Sequence, residues 1–287
     1  TRFANSQIHQ NVAEKSGGVA VKVVLNKQIS TIRVDTLEQD EIKKAVEQAV
    51  KIAKASPPNK EFKSLPEPES WNPLKGTFDE ETANCEPRYR AEKVREVIET
   101  AHSKSSKVKA VAGYFSTGSM AFAVANSLNV SAWTDISTAY MKTTVISESG
   151  TSEGFGTAEK YSRKVKDIKP SLLAEDAAEK SVRSLNPVRL NPGEYEVVLS
   201  PLAVSTLLMF TGMVGFSATA YQDGQSFVRY SLNQKVFDGK FTVKDDARDA
   251  KTLFAVPVDG EGVPKKALEL INKGVVSEKS ICYNSFT

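Results

Sequence analysis

The chain has 287 residues, 40% hydrophobic and 25% charged, with a formal net charge of +3. That is ordinary globular composition, with length enough for two domains and a sizeable core. So mild a charge does not imply a nucleic-acid partner, and the one basic cluster, Lys104 to Lys109, has no interleaved aromatics.

The first residues, TRFANSQIHQN, alternate as a strand. GVAVKVVLN and ISTIRV follow as two more strands joined at Asn26-Lys27. Thr36 to Gln39 has the spacing of a capping box, in which the Thr hydroxyl and the Gln side chain each satisfy a backbone donor. Behind it Ile42, Ala45, Val46, Ala49, Val50 and Ala53 form a helical stripe ending before Pro57-Pro58. Residues 56–79 are proline-rich and predict an extended connection. A second helix opens at Pro87, with Ala91, Val94, Val97, Ile98 and Ala101 on its apolar face. VKAVAGYF, SMAFAVA and AYMKTTVIS predict strands, and a Gly-rich turn at 147–156 precedes a helix from Leu172 to Leu185.

Past Asn191-Pro192-Gly193 the pattern changes. From Val197 to Gln222 there is no charged residue. EYEVVLS alternates like a strand, and Pro201 then opens a helix with Leu202, Thr206, Phe210 and Val214 on one stripe. Ser, Thr and Gly are frequent within it, and no Lys or Arg flanks it closely, which argues for a helix buried in a soluble core against a membrane span. KVFDGKFTV, LFAVPVD and GVVSEKSICY predict further strands. The expected class is α+β: an N-terminal α/β domain over 1–190, with a possible subdivision at 56–79, and a strand-rich, β-barrel-like C-terminal domain over 191–287.

Candidate chemistry is sparse. Only His9 and His102 exist, so no zincin-type pair can be built, and His102 near a helix end is expected to meet the last carbonyls. No G-x-S-x-G turn occurs, and the glycines of GYFSTGSM and SESGTSEGFG lack the ending of a phosphate loop. Asp245-Asp246 and Asp259-Gly260-Glu261 could ligate a hard cation but also suit turns. Two cysteines far apart, Cys85 and Cys282, fit a reducing compartment and a cytoplasmic protein.

Several segments together resemble the TldD/PmbA (TldE) family of zinc-dependent peptidases. They are RFANSQIHQN at the start, VVLSP before the apolar helix, GQSF, KVFDGKFTVKDD and VDGEGVPKKALELINKGVV. The resemblance spans the whole chain and implies that relatives begin before Thr1 and run past Thr287, so the second domain would be incomplete here. In the TldD branch a His-Glu-x-x-x-His helix follows the VVL-x-P strand. The gapless register puts Met209 and Phe210 where the first His and the Glu would stand, and Val214 where the second His would stand; Gly215, Gly224 and Ser226 also match.

Zinc takes nitrogen, sulfur or oxygen donors, and a phenyl ring cannot act as a base. The resemblance therefore implies a PmbA/TldE-like chain with no metal or cofactor of its own, zinc residing in a TldD-type catalytic partner. It also implies an extended peptide as substrate, a homo- or hetero-oligomer, and neither nucleic acid nor membrane as partner. Cleft candidates are Gly224, Gln225, Ser226, Asp259 and Glu261. Two alternatives stand beside this: a stand-alone peptidase with a displaced site, using Cys282 or the acidic clusters, and a peptide-holding homo-oligomer without catalysis.

Overall fold

The computed structural model describes residues 1–278 and divides the chain into two compact units, Ala13–Glu67 forming the core of one, and Thr1–Val12 with Pro68 onward forming the other. In chain order the elements begin with β1 (Arg2–Ala4) and β2 (Gln7–Gln10), which belong to the larger unit.

The smaller unit is one hairpin and one helix: β3 (Val19–Leu25), β4 (Gln28–Val34) and α1 (Gln39–Ala55). β3 and β4 pair in unbroken antiparallel register from Val19↔Val34 to Leu25↔Gln28. The two-residue turn places Asn26 at φ 49° and Lys27 at φ 67°, the left-handed pair that matches the twist of the strands. The Ala45, Ala49 and Ala53 stripe of α1 is buried, and Ser30 Oγ donates to Ala49 O at 2.6 Å. The predicted capping box does not form. The helix starts at Gln39, after Glu38, and Thr36 Oγ1 accepts only from Glu38 N, at 3.1 Å, so Gln39 has no cap to reach back to.

The larger unit adds α2 (Glu80–Ala83), α3 (Pro87–Lys104), β5 (Val108–Ala125), β6 (Ser131–Ser149), β7 (Ser152–Ser162) and α4 (Pro170–Arg183). One antiparallel sheet has the order β2-β1-β5-β6-β7. The two strands expected over VKAVAGYF and SMAFAVA are one, because Gly118 pairs with Thr138 without interrupting the β5–β6 ladder. On one sheet face Phe3, Val111, Phe115, Ala139, Met141 and Val145 pack against Val94 and Val97 of α3 and Ala174, Ala177 and Ala178 of α4. Helix α4 lies directly on β7. A Cβ on Gly156 would stand 2.0 Å from Ala177 O, and one on Gly154 would stand 2.1 Å from Ser181 O, so only glycine fits. His102 departs from expectation: its Nε2 meets Ser6 Oγ at 2.8 Å, and not the end of its own helix.

Residues 191–278 carry α5 (Pro201–Val214), α6 (Ala218–Gln222), α7 (Val228–Ser231), β8 (Val243–Asp246), β9 (Ala267–Asn272) and β10 (Val275–Val276). The three strands form a small open sheet, β10-β9-β8, and no closed barrel exists among the described residues. Its core is Phe216, Val228, Leu270, Ile271 and Val276. The strands expected over KVFDGKFTV and LFAVPVD are mostly turns. Asp238 accepts from Lys240 N, Asp249 from Lys251 N and Asp259 from Glu261 N, at 2.8–2.9 Å. Each is a carboxylate closing a turn on the backbone two residues ahead. EYEVVLS likewise pairs with no strand among the described residues.

Candidate functional site

Helix α5 is built from its first residue. Ser200 Oγ accepts from Ala203 N at 3.3 Å, and Pro201 sits in the first turn, where its missing N–H costs nothing. The polar residues of this helix do not reach outward. Ser205 and Thr206 donate to Leu202 O, and Thr211 donates to Leu207 O, so their hydroxyls are spent on the helix backbone.

The C-terminus of α5 is fixed by close packing. Gly215 faces Phe227 so tightly that a Cβ would lie 2.5 Å from its ring. Ser226 Oγ donates to Gly215 O and accepts from Val228 N, and Ser226 is fully buried. The Phe216 and Phe227 rings meet edge to face at 5.6 Å. Gly224, Gln225 and Ser226 therefore form the loop that carries the chain from α6 to α7 under the end of α5. Gly224 takes φ 74°, which suits glycine.

The three positions singled out by register all lie on α5 and all are open: Met209 is 54% exposed, Phe210 58% and Val214 54%. The expectation of a helix buried in a core fails here. No residue of α5 is buried, because nothing among the described residues packs over it. At fourteen residues the helix is also too short to span a bilayer, and no helix of the described chain is long and apolar enough to do so.

Asp259 and Glu261 lie in a different turn. Asp259 Oδ1 accepts from Glu261 N at 2.9 Å and Val263 N at 3.0 Å, and Gly262 at φ 87° abuts Val124 and Val130 at the β5–β6 tip. The Gly224–Ser226 loop and the Asp259–Glu261 turn are thus held by separate local networks. Asp246 similarly caps its own turn through Arg248 N at 3.1 Å. Cys282 lies outside the described residues.

The donor chemistry of α5 does not fit a zinc ion. Met209, Phe210 and Val214 present a thioether, a phenyl ring and an isopropyl group, none of them an imidazole or carboxylate donor of the kind zinc prefers. Among the described residues no group of three or more His, Cys, Asp or Glu side chains could hold a metal ion.

Comparison with known proteins places this architecture. The fold matches TldE from Thermococcus kodakarensis with a TM-score of 0.84 at 23% identity, covering 99% of this chain and 64% of that one. A Thermotoga maritima structure matches with a TM-score of 0.83 at 20% identity, covering 96% and 62%. Family models for the first, central and C-terminal domains of the PmbA/TldA metallopeptidases match residues 1–53, 83–185 and 192–287. The chain belongs to the TldD/PmbA/TldE family.

Among curated relatives, the metalloprotease PmbA homolog of Buchnera aphidicola is 27% identical over 117 residues, covering 40% of this chain and 26% of that protein. A Methanocaldococcus jannaschii protein is 32% identical over 80 residues, covering 28% and 19%. The matches thus span about a quarter or less of the curated relatives' length.

Proposed function

We propose that this chain is a PmbA/TldE-like subunit without a catalytic site of its own, pairing with a TldD-type zinc metallopeptidase subunit that processes small or unfolded peptides in the cytoplasm. The carrying observation is the chemistry of Met209, Phe210 and Val214 on α5, none of which offers zinc a favourable ligand or a substrate a general base. The fold of the TldD/PmbA/TldE family is kept while that helix carries no charged residue. Its exposed surface is the kind that marks contact with other chain.

The peptide would be held in an extended form, with backbone hydrogen bonds giving affinity and side-chain pockets giving selectivity. Gly224, Gln225, Asp259 and Glu261 remain cleft candidates. Ser226 serves the cleft indirectly, since its hydroxyl is committed beneath α5. Co-purification with a TldD-type subunit tests the reading. A stable complex in which all zinc travels with the partner is expected; a chain that ignores the partner and carries its own zinc would overturn it.

A further inference from the structure

A second constellation lies far along the chain from α5. Where β7 ends, a pocket of about 400 Å³ is lined by Lys160, Arg163, Lys164 and Lys251, with Asp167 and Tyr161. Four cations face one carboxylate, a surplus as large as the formal charge of +3 on the whole chain. Lys160, Lys164 and Lys251 form no ion pair among the described residues, although Lys164 lies within electrostatic reach of Asp79. The single carboxylate already accepts from Ser162 Oγ at 2.8 Å.

Arg163 makes this pocket more than a solvated lysine cluster. It is 7% exposed, and its guanidinium bonds only neutral carbonyls: Thr77 O at 2.9 Å, Thr252 O at 2.8 Å and Ala255 O at 3.3 Å. Its Nε–H is buried and has no partner. A buried cation without a counter-charge is costly, and burial pushes this guanidinium below its ordinary pKa. Arg90 supplies the contrast. It is equally buried and also bonds neutral acceptors, yet none of its buried nitrogens is left unmatched.

The geometry points to a binding site for an oxyanion, with the free C-terminal carboxylate of a peptide as its source. The volume exceeds that of a bare ion and falls at the low end of small-ligand pockets, about 300–1,000 Å³. Lys160, Tyr161 and Ser162 belong to β7, which is an edge strand of the five-stranded sheet. Further back on that edge Ser184 Oγ already accepts from Phe155 N and donates to Phe155 O, and Lys180 Nζ donates to Thr157 O. A peptide would therefore be added only along the last residues of β7, Glu159 to Tyr161, which delivers its terminus to the cations and combines strand addition with carboxylate capture. The choice of a peptide rests on the proposed function; the oxyanion site does not.

The test measures binding of a short fluorescent peptide to the full chain alone, with a free or an amidated C-terminus, and of inorganic phosphate by calorimetry. Because no TldD-type subunit is present, failure of the partnership leaves this assay untouched. Lys251→Glu reverses a charge in the pocket, and Lys51→Glu makes the same change on exposed α1. The expected result is preference for the free carboxylate and about tenfold weaker binding in Lys251→Glu (about 1.4 kcal/mol), with Lys51→Glu unchanged. Saturable phosphate binding sensitive to Lys251→Glu, without discrimination between the peptides, would keep the oxyanion site and remove the peptide as its source. No saturable binding by any probe, or equal losses in both variants, would overturn the site.

Discussion

Helices α4 and α5 have the same length, fourteen residues, and each begins with proline, yet they stand in opposite relation to the rest of the protein. α4 carries charges on one side and a stripe of Pro170, Ala174, Ala177, Ala178 and Ser181 on the other, and the stripe is buried on β7 and α3. α5 carries no charge and has no fully buried residue, only Ala203, Thr211 and Gly212 being half-buried. The difference lies in what stands opposite each helix among the described residues, not in total hydrophobicity. The small residues of α4 meet glycines on β7, whereas α5 has no charged face to set its orientation.

The largest effect should come from breaking the contact of α4 with β7. Gly156→Val forces side-chain atoms into the backbone of α4 near Ala177 and is expected to cost about 3 kcal/mol in denaturant unfolding. A loss under 1 kcal/mol would mean that α4 does not lie against β7. Truncating the core beneath α3 and α4 comes next. Met141→Ala, at a fully buried position of β6, should cost about 2–4 kcal/mol by the same measurement.

Ser181→Ala removes one partner of the buried hydroxyl pair Ser147–Ser181, 2.7 Å apart. The expected loss is about 1–2 kcal/mol, since Ser147 Oγ is then left without that bond; Ser147→Ala/Ser181→Ala together should cost less than the two singles summed. A smaller effect depends on pH. Asp79 caps α2 by accepting from Thr82 N at 2.9 Å and Thr82 Oγ1 at 2.6 Å, and the Thr82 hydroxyl bond holds its carboxyl below the usual carboxylate range. Because the folded pKa is depressed, the contribution is present above about pH 4 and is lost as pH falls through the folded value. Asp79→Ala should therefore cost about 1 kcal/mol at pH 7 and nothing measurable at the acid limit.

On α5 the expected change in stability is the smallest. Phe210→Glu should alter unfolding by less than about 0.5 kcal/mol, while lowering the binding of a hydrophobic dye to the exposed helix. A loss comparable to that of Met141→Ala would show that α5 is covered after all.

Which parts could be read from residues follows the same contrast. The stripes of α1 and α3 are visible because charge on one face and small apolar residues on the other define a helix and its orientation together, whereas α4 is legible as a helix without its buried face. The apolar run of α5 defined a helix but not what would cover it, since burial depends on what stands opposite. The strand-like stretches after residue 230 mislead because Asp238 and Asp259 each close a turn, and the pairs Asp238-Gly239 and Asp259-Gly260 are the signal the sequence offers. The register of VVLSP singles out Met209, Phe210 and Val214, and the three share helix α5. The pocket at Arg163 was half legible in KYSRKVKD, but Lys251 enters it only through the fold.

The central claim is that this chain brings no catalytic site to the family's chemistry. It is tested most directly by following peptide hydrolysis by the purified chain alone, with and without a chelator, beside the same chain mixed with a TldD-type subunit. The account predicts no chelator-sensitive hydrolysis by the chain alone and activity only in the mixture. Hydrolysis by the chain alone that a chelator abolishes and zinc restores would contradict it.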